Sequence, residues 1–164
     1  MAQNNTMISD IYSSRILSAA ASAPPSRCLE SPDASAHKLS RICGSEVRVD
    51  LNVSDGVVVD FAMDAKACAL GQASASIVAR NIVGASAPEL YRLRDEMAAM
   101  LKENGAPPTG ERWVDLAALE VVRDFPQRHA SVMLVFEAVC ACLDSMSEAG
   151  AGSDTGVGAG SGEG

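Results

Sequence analysis

Positive charge is in short supply in this chain: 13 Lys and Arg stand against 21 Asp and Glu, giving a net charge of −8 and a pI near 4.7. No basic stripe is available to neutralise a run of phosphates, which excludes nucleic acid and leaves proteins or metal ions as the expected partners. Long hydrophobic runs are also lacking. Each run falls short of a membrane span and is interrupted by charge, so no membrane partner is expected. The N-terminal stretch has no basic leader segment, and Asp10 and Arg15 break its apolar run, although Ala19 to Ala23 superficially resembles a cleavage site. A cytoplasmic location follows as the expectation.

Cysteines are five, an odd number, at positions 28, 43, 68, 140 and 142, which excludes a small secreted disulfide framework. Reduced thiols of this kind bind metal, act chemically or are simply buried. The 48% hydrophobic content is enough for one real core. Residues 1–148 are expected to form the domain. The segment 149–164, mostly Gly, Ala and Ser with Val157 its one large apolar residue, is expected to stay a disordered acidic tail.

Two apolar/polar alternating runs, Val47 to Val53 and Val57 to Met63, flank Ser54-Asp55-Gly56 and read as a β-hairpin. A turn centred on Asp55 sets residues 43 and 67 opposite each other, so Cys43 and Cys68 emerge at the same end. Cys68 also opens a helical pattern with Leu70, Ser74, Ile77, Val78 and Ile82 on one face and Gly84 as the C-cap. A thiol at a helix N-terminus feels the positive end of the dipole, which favours thiolate, the form that binds metal and attacks sulfur.

Elsewhere the spacing predicts an opening helix from Ile8 to Ala21, a proline-rich linker through Ser35, and a loop or short turn leading to Cys43. Ser86-Ala87-Pro88-Glu89 is a capping box opening a helix with Leu90, Leu93, Met97, Met100 and Leu101 inward, closed by Asn104-Gly105. Leu116, Leu119, Val122 and Phe125 suggest a short helix. A last helix runs from about Gln127 to Met146. Strands grouped early and helices late give an α+β class, a small antiparallel sheet of two or three strands covered by helices on one face. Asp64 to Ala67 either continues the second strand or forms a short third one.

These features together resemble the U-type iron–sulfur cluster assembly scaffold family, which includes IscU, SufU and the N-terminal domain of NifU. The resemblance covers about residues 7 to 145 and is carried by Ile11-Tyr12, by Cys43-Gly44 before the hairpin, by Cys68 ahead of Gln72-Ala73-Ser74-Ala75-Ser76, and by Arg128-His129-Ala130-Ser131-Val132. It implies a SufE/NifU-like fold and a non-enzymatic scaffold that accepts sulfur from a cysteine desulfurase, works with other cluster-assembly proteins, and holds iron, an iron–sulfur cluster or zinc. The ligands it implies are Cys43 and Cys68, with His129 beside them. Where the family has Cys-Gly-Asp this chain has Ser45, and where the family has a third cysteine it has Ala130. Four donors complete a cluster or a zinc site, so solvent, Asp64, His37 or a partner's residue would fill the vacancy.

The competing readings are plain. Cys43 and Cys68 could be small buried hydrophobes, and His129 a first-turn histidine bonded to backbone. Cys140 and Cys142, two apart on a helix, point about 160° away from each other, so one belongs to the core and neither is a ligand. Cys28 is an incidental linker thiol and His37 an exposed loop histidine. Lys66 either favours thiolate at Cys68 or is a solvated strand-end lysine. Two alternative functions stand beside the scaffold: a metal-independent persulfide acceptor, a sulfurtransferase working with a cysteine desulfurase, and an interaction protein whose site has decayed.

Overall fold

The computed structural model describes residues 13–163, with side chains placed through residue 147. The elements run α1 (Ser14–Ala21), β1 (Ala34–Leu39), β2 (Glu46–Ser54), β3 (Val57–Lys66), α2 (Ala69–Asn81), α3 (Ala87–Lys102), a run of 3-10 turns (Glu111–Asp124), a further 3-10 turn (Pro126–Arg128) and α4 (His129–Glu163). One antiparallel sheet in the order β1-β2-β3 presents Val47, Val49 and Leu51 to the helices, with α4 lying on β1 and β2. The class is α+β, as the order of the elements implies.

Asp55 and Gly56 both carry positive φ, 54° and 77°, so the hairpin closes through a two-residue turn with Ser54 opposite Val57. The expected register needs correcting. Between Asn52 and Val53 the pairing shifts: Val53 faces Val58 while Asn52 faces Asp60, leaving Val59 as an extra, exposed residue of β3. Turn and bulge together place Glu46 opposite Lys66, so residue 43 is in line with 69 rather than 67. The two thiols still leave the hairpin at one end.

The third strand lies before the hairpin. The approach to Cys43, expected as loop or short turn, is β1 over most of its length, whereas residues 64–66 simply extend β3. Ala34-Ser35-Ala36-His37-Lys38-Leu39 hid its strand because it has no run of β-branched or aromatic residues and buries only Ala34, as an edge strand can. Its N-terminal approach is fixed by Asp50, almost fully buried, which accepts from Leu29 N (2.9 Å), Ser35 Oγ (2.7 Å) and the Arg48 guanidinium (2.9 and 3.0 Å).

The helical patterns fare well. Ile8, Ile11 and Tyr12 of the expected opening helix lie outside the described residues, while Ile16 and Ala19 of α1 are buried. The α2 face is buried at Leu70, Ser74, Ile77 and Val78, with Ile82 buried just beyond its end. The α3 capping box forms, and all five expected residues point inward. Left-handed Asn104 (φ 57°) ends the turn that follows α3. Beyond it the chain departs from the expected short α-helix: Trp113, Leu116, Leu119 and Val122 are buried every third residue, which is the 3-10 period and not the α one.

In α4 the expected inward residues Val132, Val135, Phe136, Val139 and Leu143 are buried. Among the described residues one stretch, Pro126–Ser147, is long and apolar enough to cross a membrane, against the expectation that every run falls short. Its most apolar window is 61% buried within the protein, as in a core helix that must be apolar on several sides.

Candidate functional site

Three pieces of backbone meet at the end of the hairpin: the loop between β1 and β2, the start of α2 and the start of α4. The loop closes tightly, with Ser40 N donating to Ser45 O (2.8 Å) and Gly44 N to Ser40 O (2.8 Å). Gly44 sits at φ 74°, a conformation glycine adopts without penalty. This leaves Cys43 exposed at the tip. Cys68 is half-buried and is the N-cap residue of α2, as the sequence pattern implies.

The two thiols are joined through hydroxyls. Cys43 Sγ donates to Ser45 Oγ (3.2 Å), Ser45 Oγ lies 3.4 Å from Ser131 Oγ, and Ser131 Oγ lies 3.2 Å from Cys68 Sγ. Ser45 and Ser131 are both buried. Ser40 is buried as well, and its hydroxyl, which has no other partner, faces the Cys43 sulfur. Surrounding protein atoms push the Cys43 thiol up, but hydrogen bonds from the hydroxyls of Ser40 and Ser45, from the Ser45 backbone and from Ser131 outweigh them. The net result is a pKa lowered from 9.0 to about 7. At neutral pH Cys43 is thus substantially thiolate.

Ser131 reaches Cys68 because residue 71 has no side chain. A Cβ at Gly71 would lie 2.7 Å from Ser131 Oγ and 2.7 Å from Ala67 Cβ. Ser74, one turn on, donates to Val132 O (2.9 Å) and ties the two helices together, so its hydroxyl serves packing. Gln72 Nε2 donates to Ala65 O (2.8 Å) and fixes α2 to the end of β3.

His129 lies apart from the thiols. Its Nε2 is 3.0 Å from Val122 O and 3.2 Å from Arg123 O. Both are acceptors, so Nε2 carries the proton and Nδ1 keeps the lone pair. His129 therefore closes the end of the 3-10 run in the structure. Among the described residues no three of His, Cys, Asp and Glu converge as a metal site would require. Asp64 accepts from Ser26 (2.8 Å), and His37 is an exposed strand residue 3.4 Å from Glu46. Lys66 is exposed, 3.8 Å from Glu46. Neither Asp64 nor His37 is turned toward the thiols.

The remaining cysteines separate clearly. Cys140 and Cys142 are both buried, where only one was expected in the core. They face different neighbours, Leu90 O at 3.8 Å and Val49 O at 3.5 Å, because α4 is packed on two sides. Burial pushes these thiols up to about 11 and about 12. Cys28 is exposed, with the Arg48 guanidinium at 2.7 Å. The sequence reading missed Ser40, Ser131 and Gly71 as parts of the site. The signal for Ser131 was its position beside Ala130, where the resemblance had already pointed.

The fold that carries these two thiols recurs in known proteins. A crystal structure of the N-terminal part of a nitrogen-fixing NifU-like protein from Brucella abortus is 51% identical, covers 87% of this chain and 98% of its own, and superposes with a TM-score of 0.84. A candidate SUF-system scaffold from Fervidobacterium islandicum AW-1 shares the fold at 18% identity, with a TM-score of 0.74 over 82% of this chain and 98% of its own. The iron–sulfur cluster assembly scaffold protein IscU of Thermotoga maritima is 27% identical over 105 residues, 64% of this chain and 72% of that protein. The NifU-like N-terminal domain matches residues 12–131, from before α1 to Ser131 itself, and the chain belongs to that family.

Proposed function

We propose that this chain is an iron–sulfur cluster assembly scaffold whose cargo, iron, a cluster or zinc, is held by Cys43 and Cys68. The observation that carries the reading is that both thiols contact one short chain of buried hydroxyls, Ser45 and Ser131, at the junction of three elements. Thiolate is the ligating form, and the lowered pKa of Cys43 supplies it near neutrality. His129 is the third proposed ligand, through Nδ1. Donation of its other ring nitrogen to a backbone carbonyl is the usual orientation of a ligating histidine, although a local movement must bring it to the thiols. Sulfur would come from a cysteine desulfurase. The working unit is residues 1–148, in the cytoplasm; the segment 149–164, carried in the structure as the end of α4, is proposed to be a disordered tail in solution.

Anaerobic reconstitution with iron and sulfide, read by metal analysis and visible absorbance, tests this. Stoichiometric iron that is lost in Cys43→Ser/Cys68→Ser is expected; equal iron in wild type and variant would refute the reading. The exposure and acidity of Cys43 also favour a second reading, in which Cys43 accepts a persulfide without holding metal. It expects sulfur labelling of Cys43 by a desulfurase in the presence of chelator, and no labelling there would eliminate it.

A further inference from the structure

Cys43 and Cys68 share one hydroxyl. Ser131 Oγ lies 3.2 Å from Cys68 Sγ, and the same hydroxyl reaches the Cys43 sulfur beside those of Ser40 and Ser45. The two sulfurs are thus two hydrogen bonds apart, on elements that the close approach at Gly71 keeps together. Their surroundings differ. Cys43 stands exposed at the tip of a loop where a Cβ on Gly44 would meet nothing within 4 Å, so a bulky sulfur donor has access from solvent. Cys68 is half-buried at the N-cap of α2 and packs against the core. Three hydroxyls and the Ser45 backbone surround the Cys43 sulfur, and the Ser40 hydroxyl has no other partner. Among the described residues Cys68 Sγ has one hydrogen-bond partner, Ser131. The remaining thiols have other neighbours: Leu90 O for Cys140, Val49 O for Cys142 and Arg48 for Cys28.

We infer that the two thiols form a sulfur relay, in which a sulfane sulfur taken up by exposed Cys43 is passed on to sheltered Cys68. The inference rests on the reading of Cys43 as a persulfide acceptor and adds where the sulfur goes next. A persulfide extends the Cys43 side chain by one S–S bond of about 2 Å, toward a sulfur on the far side of a shared hydroxyl. Cys68 Sγ, its proton lost to solvent, attacks the outer sulfur of the Cys43 persulfide. A new S–S bond forms to Cys68 while the bond from Cys43 Sγ to that sulfur breaks, and its electron pair stays on Cys43 Sγ as thiolate. The transferred sulfur carries its own proton across and keeps its oxidation state, so no oxidant or reductant enters. Direction comes from where the charge sits. Before the transfer it lies on Cys68, with one hydroxyl beside it; afterwards it lies on Cys43, where three hydroxyls and the Ser45 backbone converge. Hydrogen bonds to an ionised sulfur are stronger than those to a neutral one, so the extra donors favour the products. Ser45, which accepts from the Cys43 thiol, turns its hydroxyl to donate to the thiolate.

The test uses the metal-free full chain, with chelator present and glutathione persulfide as the sulfur donor. Reactions are quenched by alkylation at successive times, and mass spectrometry locates the added sulfur on tryptic peptides 42–48, which holds Cys43, and 67–80, which holds Cys68. In wild type the persulfide is expected on Cys43 first and on Cys68 later, ending in favour of Cys68 by roughly tenfold, the worth of one charge-assisted hydrogen bond. Cys68→Ser is expected to trap the sulfur on Cys43, and Cys43→Ser to leave Cys68 unlabelled over the same period. Ser45→Ala removes one donor to the Cys43 thiolate and is expected to bring the final ratio toward unity. Persulfide that forms on wild-type Cys43 and stays there overturns the inference while the acceptor reading stands. Equal labelling of Cys68 with and without Cys43, or a final ratio indifferent to Ser45→Ala, overturns it as well. Absence of persulfide on Cys43 even in Cys68→Ser overturns the acceptor reading and the relay together, so the two failures are told apart.

Discussion

Replacing Gly71 with alanine tests whether the site depends on the close approach of α2 and α4. On propensity alone the change should stabilise, since alanine is better than glycine inside a helix by about 0.8–1 kcal/mol. The structure opposes this: the new Cβ would stand 2.7 Å from both Ser131 Oγ and Ala67 Cβ, far inside van der Waals contact, and 3.2 Å from Ser131 O, which is only slightly tight. Overpacking of this kind costs about 1–3 kcal/mol, so the balance is a net destabilisation of about 1 kcal/mol. Urea unfolding of wild type, Gly71→Ala, Ser131→Ala and the double variant measures it. Removing the Ser131 hydroxyl takes away one of the two closest contacts, so Gly71→Ala is expected to cost less by about 0.5 kcal/mol or more in the Ser131→Ala background. A Gly71→Ala protein more stable than wild type, or strictly additive variants, would refute the view that the absent side chain at 71 is what admits the Ser131 hydroxyl to Cys68.

The other expectations follow from the same contacts. Iodoacetamide alkylation of Cys43 should rise as pH climbs through about 7, and Ser45→Ala should push that midpoint back toward 9, since the hydroxyl that lowers it is gone. The buried thiols of Cys140 and Cys142 have folded pKa values raised above the ordinary 9.0, so the stability they contribute is complete below pH 9 and is lost as pH rises toward about 11 and about 12. Each contributes a slope of at most about 1.4 kcal/mol per pH unit in that window, which Cys140→Ala/Cys142→Ala should flatten in chemical unfolding curves. Asp50→Asn leaves the partly exposed Arg48 facing a neutral group and mismatches one acceptor, and should lower unfolding free energy by about 1–3 kcal/mol, read by urea titration. His129→Phe should cost about 1–2 kcal/mol from two unsatisfied carbonyls, and iron content after reconstitution then separates a ligand from a structural histidine.

Legibility in the sequence followed the strength of local signals. The hairpin was readable because Asp55-Gly56 supplies the two positive φ angles its turn demands, and α3 because Ser86 and Glu89 form a reciprocal cap. The register was not, because a bulge at Val59 is set by how the strand must twist onto the helices and leaves no mark in the alternation. Strand β1 was illegible for a different reason: an edge strand needs one buried side chain, not an alternating row, and Ala34 alone carries no pattern. The 3-10 run was in plain view as a period of three through Trp113, Leu116, Leu119 and Val122. Over three turns a period of three and one of 3.6 are easily confused.

At the site, the positions of Cys43 and Cys68 could be argued from the chain, but their chemistry could not. The resemblance marked Ser45 and Ala130 as departures from a carboxylate and a third thiol, and subtraction alone suggests a weakened site. The geometry gives these changes a positive content. A carboxylate beside Cys43 would place a like charge next to the thiolate and raise its pKa, whereas the Ser45 hydroxyl donates to the anion and lowers it. The absent side chain at Gly71 allows the start of α4 to settle close to α2, which is what brings Ser131 to within 3.2 Å of Cys68. Of the two anionic or metal-seeking groups, one has thus been exchanged for a neutral hydroxyl that can donate or accept as the sulfur changes state, and the other for a methyl group. Such a site has fewer donors for a tightly held metal and an acidic, exposed Cys43, which is what transient transfer of sulfur or cargo, and not storage, would call for.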